Sequence, residues 1–410
     1  MPDVSFNSLA VVLAVAFFSR LLLGLAPRLR VPGVVIEIIL GIIVGPSVLG
    51  WAHADEPVQI LAVVGLAFLL FLSGLEIDLD ELRGHLLRRA GFGLGVSVVL
   101  ALVVGYALAA IGLVSSPLLV GVTLIATALG LVIPILKEGG LNSTPFGQQV
   151  IVGATLGEFT AVLLLSLLFS RDASGTGSKI ILLGVFVVLL AFVAVSVAGL
   201  GRRMSISQVL VRLQDTTAQI RVRGAMLLLV ALVVVAEQTG VETILGAFVA
   251  GAIVSMVDRD VKHTHPLLRV KLDAIGFGFL IPIFFVTTGI RFDLDALRND
   301  LSTLVLVPVF LLALLVVRGL PAVLYRNQLG SSRATVAAGL LQATSLPFIV
   351  TASMIGVDIG ALTPGTGSAF VAAGLLSAIL FPVISLSLLR PTTMGPMPAP
   401  SIAEEPIGVM

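Results

Sequence analysis

Long apolar segments separated by short polar segments make up nearly the whole hydropathy pattern of the chain. A helix needs about 20 mostly apolar residues to cross a bilayer, and thirteen segments approach this length. They lie at roughly 6–26, 33–51, 57–77, 91–113, 117–136, 147–170, 178–200, 222–238, 240–257, 267–290, 302–325, 333–355 and 364–389. The pattern therefore predicts an all-α polytopic membrane protein with thirteen transmembrane helices, and it keeps the first of them as a span rather than a cleaved signal peptide.

The composition supports a lipid environment for much of the surface. Hydrophobic residues make up 58% of the 410 residues and charged residues only 11%, whereas an ordinary soluble domain is about one quarter charged. The chain has no cysteine, which excludes disulfides and thiol catalysis. Its four histidines fall in predicted loops without a carboxylate cluster, so we expect no resident metal. The net charge of +1 indicates no nucleic-acid partner, and nothing predicts a cofactor or an enzyme.

The basic residues predict the orientation in the membrane. With the N-terminus placed outside, the cytoplasmic loops hold 18 of the 24 basic residues and the outside loops hold four. Such an excess in cytoplasmic loops sets the topology of polytopic proteins. We therefore expect a multi-pass protein of a bacterial inner (plasma) membrane, with its N-terminus outside and its C-terminus in the cytoplasm.

Two segments differ from the apolar spans. Residues 201–222 carry four arginines among apolar residues, which predicts an amphipathic connector at the cytoplasmic interface. The Pro-rich, acidic segment after Arg390 is expected to be disordered, with no appended soluble domain. The connector divides the chain into two halves.

The two halves contain related sequences. Residues 74–83 (GLEIDLDELR) and 289–298 (GIRFDLDALR) share the pattern G-[LI]-x-[IF]-D-L-D-x-L-R at an offset of 215 residues. Seven predicted spans separate the two copies, so they end at opposite membrane faces. Repeats of opposite topology are typical of secondary transporters, whose substrate site lies near the midplane between the repeats.

A second pair of related segments predicts interrupted helices. Thr127 lies in the fifth span with Pro134 after it, and Thr344, Ser345 and Pro347 lie in the twelfth. A proline removes a backbone donor and disfavours helix in the residue before it. Each proline alone could produce a simple kink, but matched interruptions in two halves indicate a transport site.

Most acids lie at the ends of predicted spans, whereas three charged residues lie deeper: Glu158, Arg318 and Glu37. A charge at the bilayer centre is expensive and usually marks function. Burial raises the pKa of a carboxyl group, so a central glutamate can exchange a proton for a cation. Thr155, one turn before Glu158, offers a further oxygen ligand. Arg318 supplies fixed positive charge, although a structural ion pair with Glu158 is an alternative. For Glu37, a packing role is as consistent with the sequence as a functional one.

Four segments are similar to signatures of the monovalent cation:proton antiporter-2 family, which includes Kef-type and NapA-type antiporters. They are 31–37 (VPGVVIE, followed by Gly41, Gly45 and Pro46), 68–76 (FLLFLSGLE), 246–251 (GAFVAG) and 282–289 (PIFFVTTG). The resemblance covers essentially all of the spans. It implies a NhaA-like fold in which the fifth and twelfth helices cross beside Glu158, a homodimer, and elevator-type alternating access.

The resemblance also implies a division into domains. Dimerisation-domain helices would lie at 1–90 and 222–290, and core-domain helices at 91–170 and 291–390. Residues 171–221 would form a linker helix and the connector, and residues 391–410 the disordered tail.

The chain departs from the family pattern at two positions. Members commonly carry Asp-Asp, Asn-Asp or Gln-Asp in the sixth span, where this chain has Gly157 and Glu158. The basic residue of the eleventh span, often Lys, is Arg318. A single titrating acid predicts transient binding of one Na⁺ or K⁺ at Glu158 and electroneutral one-for-one exchange with a proton. The alternative on this fold is a cation-coupled symporter of an organic solute, and the sequence leaves the choice between Na⁺ and K⁺ open.

Overall fold

The computed structural model describes residues 6–25, 31–76, 84–169, 219–239, 242–259, 267–299 and 301–389, together with position 184. Four predicted features lie largely or wholly outside these residues: the seventh span, the amphipathic connector, the D-L-D part of the first repeat, and the C-terminal tail. All of the regular secondary structure in the described part of the chain is helical.

The helices of the described residues are named here in chain order. They are α1 (Asn7–Leu25), α2 (Gly33–Val44), α3 (Glu56–Leu75), α4 (Gly84–Ala110), α5 (Pro117–Ile125), α6 (Leu129–Glu138), α7 (Pro145–Leu168), α8 (Ile220–Gln238), α9 (Thr243–Arg259), α10 (Leu267–Ile275), α11 (Ile281–Ile290), α12 (Leu294–Asn299), α13 (Leu301–Leu314), α14 (Arg326–Leu329), α15 (Ser332–Ala343), α16 (Pro347–Asp358) and α17 (Pro364–Leu389). A π-helical turn, Gly276–Leu280, joins α10 to α11. A second π-helical turn, Leu315–Gly319, and a 3₁₀ segment, Leu320–Tyr325, join α13 to α14.

Nine helical stretches among the described residues are long and apolar enough to cross a membrane. Two shorter apolar helices, α2 and α9, accompany them. Large apolar side chains point outward along these helices, as at Leu25 and Leu301, each 76% exposed, which suits a surface in contact with lipid. A multi-span membrane protein is therefore confirmed, while the count of thirteen stays a prediction. The predicted second span, 33–51, is shorter than expected because α2 ends at Val44, directly before Gly45-Pro46.

Polar caps and prolines determine where several helices begin. Asp55 accepts a hydrogen bond from the Val58 amide at the start of α3. Thr144 likewise caps α7, in which proline occupies the first helical position. A proline there loses nothing, because the first amides of a helix have no intrahelical partner.

Two helix pairs pack backbone against backbone through glycines. In the α2–α11 pair, a Cβ added at Gly41 or Gly289 would collide with the main chain of the opposite helix. In the α3–α9 pair, the same holds for Gly74 and Gly251. Small residues at helix contacts let backbones approach closely in lipid, where no hydrophobic force drives helices together.

Two of the spanning stretches are interrupted near the middle of the fold. The first consists of α5 and α6, separated by residues 126–128, and the second of α15 and α16, separated by residues 344–346. Both interruptions are buried. They bring unpaired main-chain groups to one place, and α7 and the π-helical turn before α14 lie beside them.

Candidate functional site

The two interruptions contact each other directly. The Thr127 hydroxyl donates to the Gln342 carbonyl at 2.5 Å, and the Ala128 amide donates to the Thr344 carbonyl at 2.9 Å. Thr127 and Gln342 are 215 residues apart, the same offset that relates the two sequence repeats. Each interruption therefore supplies hydrogen-bonding partners for groups that the other leaves unpaired.

Proline explains one interruption and not the other. Pro347 occupies the first turn of α16, and the preceding Leu346 leaves helical geometry at φ −141°. Pro134, in contrast, lies inside α6 and not at the first interruption, which falls at residues 126–128. That interruption has no proline of its own, so its extended geometry depends on the partners across the crossing. The Thr344 hydroxyl donates back to Leu340, and the backbone of Ser345 is held by Ser377.

Glu158 lies on α7 with its carboxylate at the start of α6. It is 4% exposed and accepts a hydrogen bond from the Leu129 amide at 3.0 Å. Leu129 is the first residue of α6, so the carboxylate faces the positive end of a half-helix, where anions are stabilised. The Ser73 side chain of α3 is a second hydrogen-bond partner. The acid that the sequence places at the centre of the sixth span thus lies at one of the interruptions.

Arg318 lies on the other side of the crossing, in the π-helical turn. Its guanidinium, 2% exposed, donates from Nε to the Thr127 hydroxyl at 2.9 Å, from Nη2 to the Gly153 carbonyl at 2.8 Å, and from Nη1 to the Ser97 hydroxyl at 3.4 Å. Among the described residues no ion pair joins it to Glu158. The arginine therefore acts as a buried cation that holds α4, α7 and the first interruption together.

The glycine before Glu158 makes room for this arginine. A Cβ at Gly157 would collide with the Nη2 and Cζ atoms of Arg318 and press on the Ile125 carbonyl. The two sequence departures, glycine at 157 and arginine at 318, are thus complementary in space.

The remaining candidate residues occupy different places. The Thr155 hydroxyl, 5% exposed, donates to the Ile151 carbonyl of its own helix. Glu37 is fully buried but belongs to another region, because its partner is Arg20 of α1 at 3.2 Å. No hydrogen bond or ion pair found in the described ranges links Glu37 to the crossing, which favours the packing role for this residue.

Sequence reasoning missed several contributors. Ser97, Gly153 and Gln342 bind the crossing or Arg318, and Ser73 reaches Glu158. Gln342 could have been found, since it stands directly before Ala343-Thr344-Ser345. Ser97 and Gly153 carry no signal of their own, because each contributes one oxygen that only the tertiary structure aims at Arg318.

The arrangement can hold a small cation or a proton. A carboxylate, hydroxyl groups and main-chain carbonyls provide the oxygen ligands that hard cations prefer. Within the part of the chain that the structure describes, no group of three or more histidines and acids could form a resident metal site. Any cation at Glu158 would therefore be bound by one acid and neutral oxygens, which suits transient occupancy.

Comparison with known proteins gives consistent results. Residues 13–397 match the family model described as "Sodium/hydrogen exchanger, transmembrane". The chain is 31% identical over 408 residues to the "Putative Na(+)/H(+) antiporter YjbQ" of Bacillus subtilis, covering 95% of this chain and 64% of that protein. It thus spans less than two thirds of that relative. It is also 28% identical over 295 residues to the "Na(+)/H(+)-K(+) antiporter GerN" of Bacillus cereus, covering 70% of this chain and 73% of the relative.

A solved structure shares the fold. The sodium proton antiporter MjNhaP1 of Methanocaldococcus jannaschii, at pH 8, superposes with a TM-score of 0.63 at 16% identity, covering 93% of this chain and 96% of that one. The narrower Kef-type or NapA-type resemblance and the NhaA-like details stay predictions. The match to the family model over most of the chain is sufficient for the broader assignment: the chain belongs to the sodium/hydrogen exchanger family of membrane transporters.

Proposed function

We propose that this protein exchanges protons for a monovalent cation, Na⁺ or K⁺, and that Glu158 binds the two in turn. The observation that carries the proposal is the position of the Glu158 carboxylate, which is buried at the N-terminus of the half-helix α6, where the Leu129 amide donates to it. The amide stabilises the charged form that a cation needs. A proton can replace the cation, because a neutral carboxyl group is also tolerated in a buried site.

Oxygen atoms near Glu158 supply further ligands for the cation. Thr155 lies one turn before Glu158, and its hydroxyl oxygen can still accept while its proton is donated to Ile151. Thr127 reaches the site through the extended backbone of the first interruption, since its hydroxyl is engaged by Gln342 and Arg318. Ser73 completes the set from α3. Thr344, Ser345 and Pro347 shape the second interruption, and Pro134 lies further along α6.

Arg318 compensates charge when the site is empty. A half-helix crossing without bound cation leaves carbonyl oxygens close together in a medium of low polarity. The guanidinium stays protonated and donates to the Thr127 hydroxyl at the crossing and to the Gly153 carbonyl of the neighbouring α7. It therefore holds the crossing in one shape whether Glu158 carries a proton or a cation.

Exchange with one titrating acid is one-for-one and electroneutral in this proposal. The protein works as a homodimer in the bacterial inner membrane, N-terminus outside, by elevator-type alternating access. A core domain (91–170 and 291–390) moves against a dimerisation domain (1–90 and 222–290). The glycine contacts of α2 with α11 and of α3 with α9 support this division, because both pairs lie wholly within the second set.

Acridine-orange fluorescence in everted vesicles tests the proposal. Addition of Na⁺ or K⁺ to vesicles with an imposed pH gradient should restore fluorescence with the native protein. Glu158→Gln should abolish the response, because the neutral amide cannot take up or release a proton and lacks the negative charge that balances the cation. The matched control is Glu237→Gln, the same substitution at an exposed position of α8, which should respond like the native protein.

Three results would contradict the proposal or a part of it. Cation-dependent recovery that survives in Glu158→Gln would exclude Glu158 as the shared group. Charge displacement on a solid-supported membrane, seen with active protein under a cation gradient, would refute electroneutral exchange while leaving antiport itself intact. Uptake of an organic solute driven by the cation, without recovery of fluorescence, would favour the symporter.

A further inference from the structure

The end of α3 carries an acidic residue that the proposed exchange does not use. Glu76 follows the last residue of α3, and Ser73 lies one turn before it. Since one helical turn rises about 5 Å, the hydrogen-bond partner of Glu158 on α3 is also the neighbour of Glu76. The Glu76 and Glu158 side chains are close enough to interact electrostatically.

The two carboxylate oxygens of Glu76 have different surroundings. Oε1 lies 3.3 Å from Nη2 of Arg269 on α10. Oε2 is buried and has no hydrogen-bond partner among the residues described. An ion pair that uses one oxygen and leaves the other buried is incomplete, because a buried acceptor without a partner is destabilising. The free oxygen is therefore available for a ligand that the structure does not contain.

Polar groups become more exposed from Glu158 toward this end of α3. Glu158 is 4% exposed and Ser73 5%, whereas the side chain of Glu76 is 13% exposed and that of Arg269 44%. Lys137, at the end of α6, and Asp273, on α10, also interact electrostatically with Glu76. These polar side chains form a path from the crossing to the face that the basic residues predict to be cytoplasmic.

We propose that Glu76 and Ser73 form an outer cation site, at which a monovalent cation pauses between the cytoplasmic face and Glu158. The inference rests on the function proposed above and adds a second carboxylate to it. The cation displaces Arg269 from Glu76, binds to the two Glu76 oxygens, and passes by way of the Ser73 hydroxyl to Glu158. Arg269 then returns to Glu76.

Arg269 and the cation compete for the same carboxylate in this scheme. The arginine keeps the acid paired while the site is empty, and the cation has to replace it. Removal of Glu76 therefore weakens cation capture, whereas removal of Arg269 strengthens it. A purely structural ion pair behaves differently, because loss of either partner would then have the same kind of effect.

The test measures the apparent KM for Na⁺ and K⁺ in everted vesicles, where added cation meets the cytoplasmic face. Glu76→Gln should raise the KM about five-fold, and Arg269→Gln should lower it about five-fold, the fold-change typical of one partly exposed ion pair. The maximal rate should change little, and Glu76→Asp should restore part of the affinity. In the double variant Arg269→Gln should have no further effect on the KM, because the Glu76 carboxylate that Arg269 pairs with has been removed.

Controls separate this site from a general change of surface charge. Arg326→Gln removes an exposed positive charge from α14 and should leave the KM unchanged, as should Glu237→Gln. Size-exclusion profiles in detergent establish that each variant is folded. If Glu76→Gln does not fold, the shift in Arg269→Gln relative to Arg326→Gln decides the question alone.

The outcomes also separate this inference from the proposed function. Loss of exchange in Glu158→Gln combined with an unchanged KM in Glu76→Gln and Arg269→Gln overturns the outer site and leaves the function standing. A KM that moves in the same direction in both variants likewise overturns it. Persistent exchange in Glu158→Gln instead refutes the proposed function itself.

Discussion

Replacement of Thr127 by valine should test the crossing of the two interrupted helices. Valine keeps the shape of threonine and removes only the hydroxyl. That hydroxyl donates to the Gln342 carbonyl at 2.5 Å and accepts from Nε of Arg318 at 2.9 Å. Thr127→Val therefore leaves two groups in a fully buried site without a partner.

The magnitude follows from the two hydrogen bonds. A hydrogen bond between neutral groups contributes about 1 kcal/mol net, and one to a charged group about 1.5–3 kcal/mol. Thr127→Val should thus lower the free energy of unfolding by about 3 kcal/mol. Thr123→Val is the matched control, because Thr123 lies one turn earlier on α5, is equally buried, and donates only to Leu119 of its own helix. Its loss should cost about 1 kcal/mol or less.

Denaturant unfolding of the purified protein in detergent, followed by circular dichroism, gives the difference between the two variants. We expect about 2 kcal/mol, which is roughly a 30-fold change in the unfolding equilibrium. Thr127→Ser keeps the hydroxyl and should recover most of the loss. If Thr127→Val and Thr123→Val agree to within about 0.5 kcal/mol, the hydroxyl does not hold the crossing together and the reasoning fails.

Three further substitutions address the other buried charged residues and the glycine that packs against Arg318. Gly157→Ala should abolish vesicle exchange while Gly91→Ala, whose added methyl meets nothing within 4 Å, should not, because only the first displaces the Arg318 guanidinium; equal activity would contradict this. Arg318→Lys should lower the free energy of unfolding by about 1–3 kcal/mol, since one ammonium cannot reach acceptors on three elements, and an unchanged unfolding midpoint would count against it. Glu37→Gln should retain exchange with a near-native KM, because Glu37 pairs with the half-exposed Arg20 away from the crossing; loss of exchange in folded protein would show that Glu37 has a transport role.

The two interrupted helices and the acidic residue that lies beside them could be predicted from the sequence. Thr344, Ser345 and Pro347 indicate an interruption once they are matched with Thr127 in the other half of the chain, and Glu158 stands out because few acids occur mid-span. The first interruption was predicted on the correct helix but with Pro134 as its cause. The structure has Pro134 within α6, since the backbone at 126–128 is held open by partners from the other half of the chain.

The partners of Arg318 could not be predicted. They are two hydroxyl groups and one carbonyl from three separate elements, and no local pattern distinguishes Ser97 or Gly153 from neighbouring small residues. The π-helical turn that carries Arg318 is equally difficult to predict, because the nearby Pro321 indicates a disturbed helix but not the change of register at 315–319. The ion pair of Glu37 with Arg20 joins two spans, and sequence alone gives no distance between them.

The close backbone contacts at Gly41, Gly289, Gly74 and Gly251 restrict how the paired helices can move. Because the main chains of the paired helices are in direct contact, neither helix can slide or rotate without first moving away from its neighbour. In the proposed transport cycle, motion would then occur at other helix contacts. One such contact joins Phe159 on α7 to Phe248 on α9, whose tilted rings have centroids 5.9 Å apart. Two apolar rings can shift past each other without breaking a hydrogen bond.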